Sequence, residues 1–401
     1  MDFSSLLLHV FLIVSFVYPI HSCHNQLNNQ AFLGENEFHK LNKTMITSHL
    51  QRINKPAVKT IQSPDGDIID CILTHKQLAF DHPLLKGQKP LDPPKRSRGV
   101  HQTGNFSNIF QLWTLSGESC PEGTIPVRRT TEQDLLRAGS ITQFGRKYID
   151  RDSYEHAMAS VQGDGYTGAS AVLNIWQPKL DYCYEFSAAK ILLSSQKSGD
   201  IIETGWQVYQ HLYGDGRPRL FIHWTADPER QNGCYDLKCS GFVQTHNKVV
   251  LGGSVTPASI YDGKQYGLKL TIWKDPNNGN WWLELESGIH IGYWPASLFT
   301  ELKGEAYFAE FGGEVFNLKP SGAHTSTEMG SGHFVSGRGF GRAAFIKKMK
   351  VAVTEQNVYI DLPDPDFSSD HPNCYNVKGG FIKDWGSYLY YGGPGYNKNC
   401  P

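Results

Sequence analysis

The chain has no excess of either charge. Its 38 Lys and Arg stand against 39 Asp and Glu, a formal net charge of -1 at pH 7, which excludes a polyanion binder driven by bulk charge. Charged residues make up only 19% of the sequence, while hydrophobic residues reach 39% and aromatics 12%, so wholesale disorder is excluded as well. The one apolar run at the N-terminus is shorter than the roughly 20 residues a bilayer span needs, and no later stretch could cross one. CxxC and HExxH motifs are missing, which argues against zinc. So are a GxSxG elbow, a P-loop and a GxGxxG opening a helix, which removes the sequence grounds for serine-hydrolase or nucleotide chemistry. Helical stretches between strands are nearly absent, against a parallel α/β fold, and the Gly337–Arg342 string GRGFGR reads as a turn.

What is present is turn-forming and aromatic. Forty Gly and 21 Pro in 401 residues favour many short strands, arranged in about two domains. Leu6 to Ile20, LLLHVFLIVSFVYPI, reads as a signal peptide occupying residues 1–22, and makes the protein secreted, extracellular or in the cell wall. In that compartment the eight cysteines are expected to pair. Cys234 and Cys239 make one local staple and Cys374 and Cys400 another, and a Cys71–Cys120 bond would hold together both sides of the Pro-rich, basic linker at 89–98. Asn42-Lys-Thr44 and Asn105-Phe-Ser107 are glycosylation acceptors. Leu41, Ile46, Leu50 and Ile53 form a helical stripe, so a short helix is expected there.

From about Tyr154 the pattern becomes short alternating runs separated by Gly, Asn and Asp clusters, the signature of an antiparallel sheet protein. Strands are expected over 171–176, 186–193, 201–209, 220–224, 266–273 and 281–285. The last two form a hairpin around Asp275-Pro-Asn-Asn-Gly279, with Trp281, Leu283 and Leu285 on a dry face and Glu284 and Glu286 on a wet one. The expected class is all-β: an antiparallel β-sandwich over 146–401 behind a small mixed segment at 23–145.

The candidate chemistry lies in carboxylates placed in strand text. Glu203 is surrounded by large side chains and has Gly205 nearby, while Glu310 and Glu314 fall on one face of an unbroken strand. Two carboxylates on neighbouring strands could share a single proton, leaving one acid and one base. Ordinary solvent-facing glutamates are the competing reading.

Several motifs resemble one family in sequence order: IIETGWQV at 201–208, LYGDGRPRLFIHWTAD at 212–227, GCYDLKCSGF at 233–242, IWKDPNNGNWWLEL at 272–285, FGGEVFN at 311–317 and HTSTEMGSGHF at 324–334. They resemble the neprosin family of plant secreted prolyl endopeptidases, and GDIIDCILTHKQLAFDHPLL at 66–85 with CPEGTIPVRRTT at 120–131 resembles that family's activation segment. The resemblance implies a zymogen whose β-sandwich domain cuts peptide bonds after proline with two glutamates, needs no metal or other cofactor, works in acid, and acts as a monomer on proline-containing peptides or proteins. Neither a nucleic-acid partner nor a membrane, once the signal is removed, is expected. Glu203 corresponds by position to the first glutamate. Glu314 is preferred to Glu310 as the second because paired glycines before it clear room for a substrate backbone. Trp206, Tyr209, Trp224, Tyr293 and Trp294 are candidates for a proline pocket. Two other readings are an inactive sandwich that binds cell-wall carbohydrate and a two-carboxylate glycoside hydrolase.

Overall fold

A computed structural model of the chain describes residues 43–94, 110–147, 151–226, 233–286, 288–336, 339–353 and 358–401. The signal-peptide segment, Cys23, Asn42, Asn105 and the basic half of the linker lie outside the described residues. Those described fall in one compact unit, Phe38–Pro401, and among them no helix is long and apolar enough to cross a membrane.

The N-terminal part is mixed, as expected. The striped segment forms the helix Lys43–Ile53, with Ile46 and Ile53 buried and packed with Leu135 and Phe144. A three-stranded antiparallel sheet follows, ordered Ala57–Gln62, Ile68–Leu73, Thr124–Arg128. Cys71 and Cys120 are joined and buried beside Trp113 and Ile61. Between them residues 87–94 have no regular structure, and Pro93 is exposed. A second helix, Glu132–Ala138, begins at a capping box in which Thr131 and Asp134 satisfy each other's backbone N–H groups, and it stops at Gly139 with φ 67°. Both signals were in the sequence, Thr-x-x-Asp before Leu135 and Gly after Ala138.

The rest is two antiparallel sheets packed face to face. The first has the order Cys234–Tyr235, Arg219–Ala226, Asp200–Val208, Phe186–Ser194, Ala306–Phe316, Tyr154–Tyr166, Asp366–Ser369. Along each strand alternate residues turn inward. Ala189, Ile191, Leu193, Ile202, Trp206, Ile222, Trp224, Phe311 and Val315 meet Leu173, Leu268, Leu270, Ile272, Trp281, Leu283 and Trp294 from the second sheet in one core. Each of the larger aliphatic side chains and Phe311 contributes roughly 1.5–3 kcal/mol by leaving water. The hairpin pairs Lys274 with Trp281 and Leu270 with Leu285 across a turn closed by Gly279 at φ 76°. Its expected wet face is not wet: Trp282 is fully buried and Glu284 nearly so, with Trp273, His290 and Tyr293 packed beside them on the same face from the neighbouring strands. The Cys234–Cys239 and Cys374–Cys400 bonds are formed, and Cys183 is disulfide-bonded as well.

Candidate active site

The inward alternation of the first sheet fixes what its opposite face carries. Residues 203, 205 and 207 point away from the core, as do 188, 190 and 192, and 310, 312 and 314. The Phe186–Ser194 strand lies between the two glutamate strands. In register, Glu203 stands opposite Leu192 and Glu314 opposite Ala188, so Lys190, two residues from each, lies between the carboxylates. Lys190 is itself flanked by Gly205 on one strand and Gly312 on the other. A Cβ at Gly205 would run into the Ala189 carbonyl, and one at Gly312 would come 2.5 Å from Ala157 O, so neither position can carry a side chain beside Lys190. The next strands outward supply His223, paired with Glu203, and His156, paired with Glu314.

These side chains converge although the face is buried: Glu203 is 1%, Lys190 4%, His223 2% and Glu314 3% exposed. Lys190 Nζ lies 2.9 Å from Glu203 Oε2 and 3.0 Å from Glu314 Oε1. A second ammonium arrives from outside the sheet. Lys147 Nζ donates to Glu203 Oε1 at 2.9 Å and to both Glu314 oxygens at 3.0 and 2.9 Å, and sits over the ring of Tyr154. Because one nitrogen touches both carboxylates, their nearest oxygens lie within twice a hydrogen-bond length. His223 Nδ1 is 2.8 Å from Glu203 Oε1. His156 bridges Glu314 Oε1 at 3.2 Å and Asp370 Oδ2 at 2.9 Å.

The electrostatics follow from these contacts. Burial alone would raise the Glu203 carboxyl, but Lys147, Lys190 and the His223 contact hold it well below the usual carboxylate range. Glu314 is driven down in the same way by Lys147 and Lys190, helped by the bond from His156, against burial and the charge of Glu203. Burial opposes charge on Lys190 too, yet Glu203, Glu314 and Glu310 raise its pKa. On His156 the bonds to Asp370 and Glu314 outweigh burial and raise it, whereas burial wins at His223 and lowers it. Burial keeps the Tyr235 hydroxyl protonated. Two carboxylates sharing one proton is therefore not the state of this chain: with two ammonium groups in contact, both are ionised.

The expected site residues divide. Glu203 and Glu314 meet; Glu310, on the same face, bonds to neither lysine among the described residues. The glycine argument that favoured Glu314 is half corrected, since only Gly312 opens this face. Gly313 points into the core, where a Cβ would strike Tyr391 and Met329. Of the five aromatic candidates, Trp206, Trp224 and Trp294 belong to the core between the sheets, with Trp206 Nε1 bonded to Asn174 O, so none of them can line this face. Tyr293 lies on the second sheet, where its hydroxyl accepts from Leu91 N. Tyr209 alone is on the right side, in a cluster with Phe186, Phe221, Tyr235 and Phe316. Sequence reasoning missed Lys147, Lys190, His156, His223 and Tyr235. The available signal was a single lysine in FSAAKILLS and a single histidine in RLFIHWT, polar groups at buried-strand positions that need partners.

A family model described as Neprosin matches residues 183–394, more than half of the chain and all of the strands bearing Glu203, Lys190, His223 and Glu314. The chain belongs to the neprosin family. A second model, the neprosin activation peptide, matches residues 60–171, which include most of the three-stranded sheet, the capped helix, Lys147 and the first sandwich strand. Solved structures of similar outline include scytalido-glutamic peptidase with a peptide-based transition-state analogue, 14% identical, covering 59% of this chain and 97% of that one at a TM-score of 0.33. Another is SCP-B, a member of the Eqolisin family of peptidases in complex with the tripeptide Ala-Ile-His, 13% identical, covering 59% and 96% at 0.31. Likenesses this loose carry no argument about chemistry. In this neprosin-family chain the activation-peptide match thus contributes a cation to a carboxylate pair built by the neprosin domain.

Proposed function

We propose that this chain is the zymogen of a secreted glutamic endopeptidase that cleaves after proline in acid. The observation that carries the reading is the convergence of Glu203 and Glu314 on a single ammonium, at a separation suited to opposite sides of one scissile bond. Once that cation is gone, the pair can hold one proton. The ionised carboxylate takes a proton from water, and the water oxygen bonds to the carbonyl carbon. The protonated carboxyl stabilises the developing oxyanion and then gives its proton to the leaving nitrogen as the C–N bond breaks. Above the pKa of the pair the donor is lost, so the rate falls toward neutral pH. The cluster of Tyr209, Phe186, Tyr235 and Phe316 beside the carboxylates supports a preference for proline, whose rigid ring packs on aromatic faces.

The test uses protein freed of its activation segment and a proline-containing fluorogenic peptide, assayed from acid to neutral pH. Acid-limited cleavage after proline, lost in both Glu203→Gln and Glu314→Gln, is the expected result. Hydrolysis that survives both substitutions would remove the pair from the mechanism. Binding of polysaccharide with no peptide cleavage would favour the carbohydrate-binding alternative, and cleavage of a glycosidic bond the glycoside hydrolase.

A further inference from the structure

Glu155 faces away from the carboxylate pair. Its neighbour His156 turns outward to Glu314, so by alternation Glu155, opposite Val315, turns inward, where it is fully buried. A buried carboxylate needs compensating charge. Groups from two other segments close on its Oε1: Lys319 Nζ at 2.8 Å, His324 Nε2 at 2.9 Å and His371 Nε2 at 3.8 Å. Yet among the described residues neither Glu155 oxygen has a partner in hydrogen-bond geometry, and neither has His324 Nε2. These atoms are close without being aligned on one another. Both rings also turn a lone pair toward the carboxylate. His324 Nδ1 lies 3.2 Å from Pro401 O, which can only accept, so Nδ1 carries the hydrogen and the neutral ring presents Nε2 bare. His371 Nε2 accepts from the Lys319 ammonium at 3.5 Å, so it too is bare.

We propose that Glu155, His324 and His371 form a divalent-cation site of the zinc class, in which the Lys319 ammonium holds the ion's place and swings out when the ion enters. Two imidazoles and a carboxylate are a zinc donor set that leaves a fourth position for water. The spacing suits it: two donors each about 2.0–2.2 Å from a tetrahedral ion stand about 3.3–3.6 Å apart, between the 2.9 and 3.8 Å of the two histidine contacts to Glu155. Donor atoms of all three residues lie within 4.8 Å of one another. His371, with its side chain 43% exposed, opens the site to water, and Lys319, 22% exposed, has a way out. The ligands are held in place by their backbones. His324 N donates to Pro401 O at 3.2 Å, and the His371 carbonyl receives both Cys374 N and Tyr375 N at 2.8 Å. Cys374 and Cys400, also beside His324, are joined to each other and are not ligands. The three ligands are far apart in sequence, so no short motif announces them. Next to two of them in sequence stand His156 and Asp370, bonded to each other at 2.9 Å, so an ion here ties together the two segments that steady Glu314.

The test uses the full chain, stripped of metal on a chelating resin and titrated with Zn²⁺ at neutral pH in competition with a chromophoric chelator. Co²⁺ in its place reports the ligands by visible absorption. One equivalent of Zn²⁺ and a tetrahedral Co²⁺ spectrum are expected. His371→Ala, at the exposed ligand, should weaken binding at least roughly tenfold, and Lys319→Met, which removes the competing ammonium, should tighten it at least about tenfold. Failure to bind one equivalent, or an affinity that His371→Ala leaves unmoved, overturns the site. An affinity that Lys319→Met leaves unmoved overturns the exchange with the ammonium. Hydrolysis does not enter either measurement, so the site stands or falls separately from the carboxylate pair.

Discussion

Replacing Asp134 by Asn tests how the activation helix is held. Asp134 is almost fully buried, and its carboxylate serves two purposes. It closes the capping box with Thr131, and it receives Arg137 and Arg128. Arg128 continues to Asp67 at 2.8 Å, Asp67 to Arg219 at 2.6 Å, and Arg219 to Asp215 at 2.6 Å, so a row of alternating charges runs from the helix into the sandwich. Burial would raise the Asp134 pKa, but Arg128, Lys238 and Arg137 with the Thr131 bond lower it from 3.8 to about 2. At about 1.4 kcal/mol per pH unit, that is roughly 2–3 kcal/mol in favour of the packed, charged form. Because the packed pKa is depressed, this stability is present above the ordinary value near 4 and is lost as pH falls toward 2. Asn keeps the shape and the cap acceptor while removing the charge. Hydrogen exchange of the Glu132–Ala138 amides should lose about 30- to 150-fold protection at pH 7, and wild type and variant should converge near pH 2. A loss below about threefold at pH 7, or one equally large at both ends, would refute the linkage.

Gly205→Ala should prevent a native sheet, because the added methyl runs into the Ala189 carbonyl; a soluble variant with wild-type circular dichroism and unchanged Tm would contradict this. Leu283→Ala, fully buried in the core, should lower unfolding free energy by about 2–5 kcal/mol in urea titration; an effect under about 1 kcal/mol would mean that the core relaxes around the hole. Cleavage in the exposed stretch before residue 95 should leave the two pieces joined through Cys71–Cys120, so that they separate on a gel only after reduction. Separation without reductant would show the bond to be open. Asp236, which burial raises from 3.8 to about 6 despite Lys238 and the Tyr213 hydroxyl, opposes folding increasingly as pH rises from about 4 to about 6 and fully above that. Asp236→Asn should therefore raise Tm more at pH 8 than at pH 4, and the reverse order would refute the sign.

The six expected strands were readable because their apolar alternation is local: the Phe186–Ser194 and Asp200–Val208 strands begin and end within a residue of the expected bounds, whereas strands such as Ala344–Ala352 and Gly386–Gly392 were not read. The Glu132–Ala138 helix was missed, although Thr131, Asp134 and Gly139 spell its ends, because seven residues give too little period to count. Glu203 and Glu314 were readable as candidates. Which strands are neighbours was not, since register joins residues far apart in sequence, and Lys190 acquires its meaning only when the strand carrying it is placed between the other two. The tryptophans misled for a related reason: Trp206 and Trp224 are of opposite parity to Glu203 and His223, and period two sends them to the other face.

That intervening strand has a lasting consequence. The spacing of the two acids is set by two strand-to-strand steps of about 4.8 Å each and by the register that offsets them along the central strand, Leu192 to Ala188, a geometry dictated by backbone amides and indifferent to what the chain does between strands. Connections at the sheet's ends can lengthen, shorten or change composition, altering what is bound, while the gap across which a bond would be broken keeps its width.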